Sequence, residues 1–400
     1  MWIGISMDMG NKALLPSGLV DLLPPDAACE AQTVELLIQE FEALGYERVK
    51  PPLAEFEISM FAQDPGERIA SETFRLMDPY SQKMMALRSD ATPQIARIAG
   101  SRLGNKGRPL RLAYSVDVLR VKGSQLRPDR EFTKTGCELI GAHGVEADIE
   151  IAVLAIKSLK SIGVGNIAID MALPPLVEHV YEAFGTKEHT RKRLDEMLEN
   201  RDRGALEKEE APEAKILYEL VCCAGPVEKG LKNLAGANLP DEIVSYLEPL
   251  SEIAGGVKTA LEDLEIDDVG ITLDPVERRG FEYKTGFAFT VFAKGERGEI
   301  GRGGRYGFCY TDKDSNSLAE TATGFTFYMD TLRRIIPLKA AKKSVMISSE
   351  EGWNQVAKLQ SEGWIVVRCF GEECDGRFLK CTHKFEDGKI CPLGQEDCDG

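Results

Sequence analysis

Nowhere does this chain hold an apolar run of membrane-spanning length. Its best stretches are broken by charge within about a dozen residues, where a spanning helix needs roughly 20. The opening MWIGISMDMGNK lacks a basic stretch followed by an apolar segment, so no secretory signal is read and the expected address is the cytoplasm. Positive charge is short too. Lys and Arg number 49 against 65 Asp and Glu, a net charge of −16. A local basic patch can still hold nucleic acid, because fields are screened within about 8–10 Å, but a large nucleic-acid footprint is not expected. There is no internal repeat and no low-complexity tract.

Cysteine is present, but not in a metal-binding pattern. Of ten cysteines, Cys369, Cys374, Cys381, Cys391 and Cys398 crowd the end of the chain near His383. They form no C-x-x-C pair and their spacings are wide and uneven, so reduced, unliganded thiols are expected and no metal.

What is there is ordinary globular material. The chain has 400 residues, 43% hydrophobic and 28% charged, which suffices for two or three domains with a sizeable core. Val34, Leu37, Ile38, Phe41 and Leu44 recur at helical spacing between an Asp26 cap and Gly45. Pro51 and Pro52 interrupt the segment that follows. Strands are expected at 83–88, 110–115, 132–140 and 167–171, with a second amphipathic helix over 146–161. The charged stretch 187–268 reads as a helical insertion within a core formed by 1–186 and 269–337. Strands return at 270–273 and 287–292, before the glycine cluster at 301–304. Residues 338–400 read as a small α/β appendage, with a β-α-β unit and a hairpin through Glu386, Asp387 and Gly388. The mixture implies an α+β core.

Several segments carry a resemblance in order along the chain. LLPSGLVDLLP (14–24), the Gly45–Pro52 stretch, LRSDAT (87–92), RVKGSQLRPDREFTKTGCELIG (120–141), RRGFEY (278–283), GGRY (303–306) and TGFTFYMDTL (323–332) are each weak matches alone. Together, over residues 14–336, they resemble the histidyl-tRNA synthetases and their non-catalytic relatives. The resemblance implies a class II synthetase-like antiparallel sheet flanked by helices, and dimers through the first signature.

An amino-acid pocket needs a carboxylate for the ligand's ammonium, a cation for its carboxylate and a polar reader for its side chain. Asp90 fits the first need, and by resemblance Thr92 joins it. Arg279 fits the second, with Gly280 permitting close backbone approach. Glu138 fits the third by accepting an imidazole N–H. Each also has a plain structural reading: Asp90 as a helix cap, Arg279 as a surface ion pair, Glu138 as a solvent-facing strand residue.

The departures from the family pattern are as informative. The resemblance places a phosphate-clamping arginine beside Asp330, where this chain has Thr331. The glutamate that would follow Arg120 by two residues is Lys122. Each lost charge-assisted contact costs about 1.5–3 kcal/mol, so two would weaken ATP binding on the order of a hundredfold. Arg333 and Arg334 lie within a turn of Thr331, but on another face. A glutamine expected near Lys134 and a tyrosine expected at Lys284 are both lysines, and Tyr283 stands to take the aromatic role.

Such a chain resembles the regulatory subunits of ATP phosphoribosyltransferase. That resemblance implies no catalytic residue, no cofactor and no tRNA. It implies a short catalytic subunit as partner in a hetero-octamer, with L-histidine as effector. A working or degenerate synthetase and a stand-alone amino-acid-binding module are the alternatives.

Overall fold

The computed structural model describes residues 14–61, 69–124, 127–281, 283–311, 317–337, 343–370 and 379–393. The MWIGISMDMGNK start, Glu282, Cys374 and Cys398 therefore lie outside the described residues. The chain divides into two compact units, Met1–Pro337 and Leu338–Gly400.

Among the described residues the first unit is built on twelve strands. They are β1 (Glu47–Arg48), β2 (Ala54–Phe56), β3 (Arg75–Met77), β4 (Met84–Leu87), β5 (Leu110–Leu119) and β6 (Glu131–Ile140). After these come β7 (Ile167–Ala172), β8 (Gly225–Pro226), β9 (Val269–Leu273), β10 (Lys284–Ala293), β11 (Gly301–Thr311) and β12 (Ser317–Tyr328). Nine of them form one sheet in the order β1-β5-β6-β12-β11-β10-β7-β9-β8. From β5 to β7 every neighbour is antiparallel; β1 joins β5, and β9 joins β7, in parallel. The remaining three make a small antiparallel sheet, β2-β4-β3.

Both faces of the large sheet are covered, and the period-2 alternation of strands sorts residues between them. On β6, Cys137 and Leu139 face a core shared with helices α1 (Asp26–Glu42) and α4 (Val145–Ser161). Phe132 and Ile140 point the other way, into a core with Leu112, Tyr114 and Val116 of β5. That second core also takes Ile95 and Ala99 from helix α3 (Thr92–Ser101). Helix α1 buries Val34, Leu37, Ile38 and Phe41. Each such side chain is worth about 1.5–3 kcal/mol of burial.

Two details of that helix differ from expectation. Asp26 is its first residue and makes no capping bond, because the cap position is Pro25; Leu44 lies past the helix end and stays exposed. The charged segment folds as helices between Glu188 and Asp263, with β8 pairing to β9 in their midst. No helix among the described residues is long and apolar enough to cross a membrane.

The second unit places β13 (Ser344–Ser348) parallel to β14 (Ile365–Cys369) and to β15 (His383–Glu386). A two-residue turn, Asp387 at φ 49° and Gly388 at φ 74°, closes the hairpin to β16 (Lys389–Pro392). Its buried core is Val345, Ile347 and Leu359. Here the expectation of reduced thiols is corrected at one position, since Cys369 is disulfide-bonded, whereas Cys29, Cys137, Cys222, Cys223, Cys309, Cys381 and Cys391 are free. Small units with short cores commonly gain stability from such a staple, and composition alone did not reveal it. Among the described residues no group of His, Cys, Asp or Glu is placed to hold a metal.

Candidate functional site

The second core has a polar hollow in its middle. Phe132 and Ile140 are apolar ends of one β6 face, and between them the same alternation places Lys134 and Glu138. Both are buried, 1% and 2% exposed, so neither is a solvent-facing strand residue. They form part of the wall of a cavity of about 280 Å³ that is also lined by Asp90, Thr92, Arg120, Gly280 and Tyr283. Asp90, Thr92, Arg120, Lys134, Glu138, Gly280 and Tyr283, all singled out in the sequence, thus meet in one place, together with Lys284.

Glu138 lies beside β12, register-paired with Gly324. A Cβ at position 324 would sit 1.9 Å from Glu138 Oε2 and 2.5 Å from the Cys137 carbonyl, so only glycine leaves room for the carboxylate. Glu138 Oε1 accepts the Thr92 hydroxyl at 3.2 Å, and Oε2 has no hydrogen-bond partner among the described residues. Burial pushes its carboxyl up to about 7, against the pull of the Lys284 ammonium. Burial likewise pushes Lys284 down to about 8, although Glu138 and Asp90 favour its charge. Lys284 donates to the Gly304 carbonyl at 2.8 Å and stands over the Tyr283 and Tyr306 rings, 4.8 and 5.2 Å from their centres.

Asp90 is already engaged. Lys134 Nζ donates to its Oδ2 at 2.6 Å, and the Thr92 N–H donates to Oδ1 at 3.2 Å. Burial alone would raise the Asp90 pKa, but the Lys134 ammonium, the Thr92 N–H and the Arg120 guanidinium together outweigh it and hold the carboxyl below its usual range. Lys134, although it shares a β6 face with Glu138, is thus partnered with Asp90.

Arg279 is the residue the structure does not bring to this cavity. Both its own N–H and that of Arg278 donate to Glu277 Oε1 at 2.9 Å, which turns the chain so that its guanidinium donates to the Glu199 carbonyl. It lines a second cavity of about 520 Å³ with Arg201 and Arg278, sharing only Phe281 and Lys284 with the first. The cations that do face the first cavity, besides Arg120 and the lysines, are Arg127 and Arg302.

Sequence reasoning passed over both. Arg302 Nη1 donates to the Gly280 carbonyl at 3.2 Å, and a Cβ on Gly280, at φ +73°, would lie 1.6 Å from that nitrogen. Arg127 lies 3.7 Å from the Tyr328 ring centre and donates to Asp330 Oδ2 at 3.1 Å. The available signals were weak: Arg302 precedes the GGRY glycines, and Arg127 lies in the loop between β5 and β6.

The end of β12 completes the picture. Helix α11 (Met329–Leu332) follows it directly. Thr331 is buried and its hydroxyl donates to the Tyr328 carbonyl at 2.9 Å, so it faces its own helix turn. Arg333 and Arg334 pair with Glu30 and Glu296, and neither lines the cavity. Lys122 is exposed and outside it as well.

The family model described as histidyl-tRNA synthetase matches residues 18–332. A Rhodospirillum centenum protein described as an ATP phosphoribosyltransferase regulatory subunit is 42% identical over 384 residues, covering 95% of this chain and 96% of that one. One so described from Gluconobacter oxydans is 37% identical and covers 96% and 98%. Among solved structures, a Bacillus halodurans protein titled ATP phosphoribosyltransferase regulatory subunit/histidyl-tRNA synthetase superposes with a TM-score of 0.75 at 21% identity, covering 94% and 97%. A histidyl-tRNA synthetase from a Nostoc species gives 0.72 at 17%, covering 93% and 90%. At those identities the two structures speak for the fold alone, and the fold is the class II synthetase-like one.

Proposed function

Because the chain belongs to the family of ATP phosphoribosyltransferase regulatory subunits, on a histidyl-tRNA synthetase-like fold, we propose that it activates a short-form catalytic subunit and passes on feedback inhibition by L-histidine. The partner supplies the chemistry, in a mixed oligomer of the two chains located in the cytoplasm, and no residue of this chain is catalytic. The observation that carries the reading is Thr331. Where a synthetase of this kind would present a guanidinium to ATP, this chain has a buried hydroxyl bonded to its own backbone. The cavity is retained beside it, with a size that suits an amino acid.

In this scheme the effector lies in the 280 Å³ cavity with its ring N–H on Glu138 Oε2. Arg120 and Arg302, which line the cavity, take its carboxylate in place of Arg279. Binding shifts the balance between two assembly conformations, by no more than the difference in affinity for each.

The test is a coupled assay with the catalytic subunit, ATP and phosphoribosyl pyrophosphate, into which L-histidine is titrated. Turnover stimulated by this chain and suppressed by L-histidine is expected. Glu138→Ala is expected to weaken the inhibition about tenfold or more while leaving stimulation in place. Full inhibition of the Glu138→Ala complex would remove Glu138 from the effector site. No stimulation, together with histidine-dependent ATP–pyrophosphate exchange by this chain alone, would make it a synthetase.

A further inference from the structure

The carboxylates lining the cavity are almost all committed to internal cations. Asp90 has Lys134 on one oxygen and the Thr92 N–H on the other. Glu299 holds Arg302, and Glu72 lies 3.7 Å from Arg120. Four buried polar atoms of the lining make no hydrogen bond among the described residues: Glu138 Oε2, the Arg120 Nε–H, and the Tyr114 and Thr326 hydroxyls. The Glu138 oxygen accepts a hydrogen bond, the Arg120 N–H, 3.7 Å from Glu72, donates one, and the two hydroxyls can do either. An incoming ammonium finds no vacant carboxylate pair, and it meets Lys134 and Lys284 at close range.

We propose that Lys134 is a specificity-determining residue that fills the ammonium seat of the cavity with its own side chain. The cavity then recognises a small N–H heterocycle bearing an anionic tail, and the α-ammonium of a ligand contributes nothing to binding. The inference rests on the effector-site reading above and narrows it. A tethered ammonium is present at high effective concentration and is held in place by burial, so a free one does not displace it.

Three probes separate the charges: imidazole-4-propionate has the carboxylate alone, histamine the ammonium alone, and L-histidine both. They are titrated calorimetrically into the full chain, free and in complex with the catalytic subunit. Imidazole-4-propionate is expected to bind at least as tightly as L-histidine, and histamine about tenfold or more weaker than either. In Lys134→Gln, which keeps an N–H donor for Asp90 and removes the charge, L-histidine is expected to gain about tenfold over imidazole-4-propionate. An L-histidine preference of about tenfold in the unsubstituted protein overturns the assignment, and that comparison needs no variant to fold. An unchanged ranking in a folded Lys134→Gln overturns it equally. Binding by none of the three overturns the effector-site reading itself, an outcome distinct from a reversed ranking.

Discussion

Glu138 and Lys284 are ionisable groups inside the fold whose burial bears on stability in opposite pH directions. The native state keeps the Glu138 proton up to about 7, whereas an unfolded chain releases it near the ordinary carboxyl value of 4.5. Stability therefore falls as pH rises through that interval. Lys284 loses its proton above about 8 in the native state and near 10.5 when unfolded, so stability recovers across the alkaline interval. The pair places the least favourable conditions near neutrality. Urea unfolding at about pH 5 and pH 7 should show the unsubstituted chain losing stability relative to Glu138→Gln, which removes the falling limb. Parallel behaviour of the two proteins would mean that the carboxyl titrates as it does in water.

At the scale of elements, β6 explains what was and was not legible. Its apolar residues and its length made the strand readable, but Lys134 and Glu138 on alternate positions imitate a half-exposed strand. Only the cover provided by β5, β12 and helix α3 turns that charged stripe into the wall of a cavity. The Lys134–Asp90 pair was hidden for the same reason: it joins residues 44 apart in sequence. Arg279 misled because residue type alone argued for a carboxylate-binding cation, while its direction is set locally by Glu277.

Helix α11 yields the element-scale prediction. It is a single turn whose residues Met329, Asp330, Thr331 and Leu332 are all buried. Thr331→Arg forces a guanidinium into that packing, at a cost of about 1–3 kcal/mol or more. Thermal unfolding should show the loss. ATP–pyrophosphate exchange should remain absent, because a cation at 331 does not undo Lys122 or the occupied Asp90. Exchange activity in Thr331→Arg would show that one side chain separates this chain from a synthetase.

For the whole molecule, the chain divides after Pro337, and the staple at Cys369 in the second unit was not legible in the sequence. The large sheet, both its cores and the cavity belong to the first unit. A chain ending at Pro337 should accordingly unfold cooperatively by circular dichroism and keep its calorimetric response to imidazole-4-propionate. Loss of cooperativity would make the second unit part of the first unit's fold.

Thr331, turned inward to the Tyr328 carbonyl, carries a consequence for how such a chain handles information. On the proposed regulatory reading the chain clamps no triphosphate, and it then has no fuel with which to proofread what it has bound. Its response is an equilibrium reading of concentration, reversible and bounded by mass action. Any response steeper than a single-site hyperbola then has to come from several copies switching together.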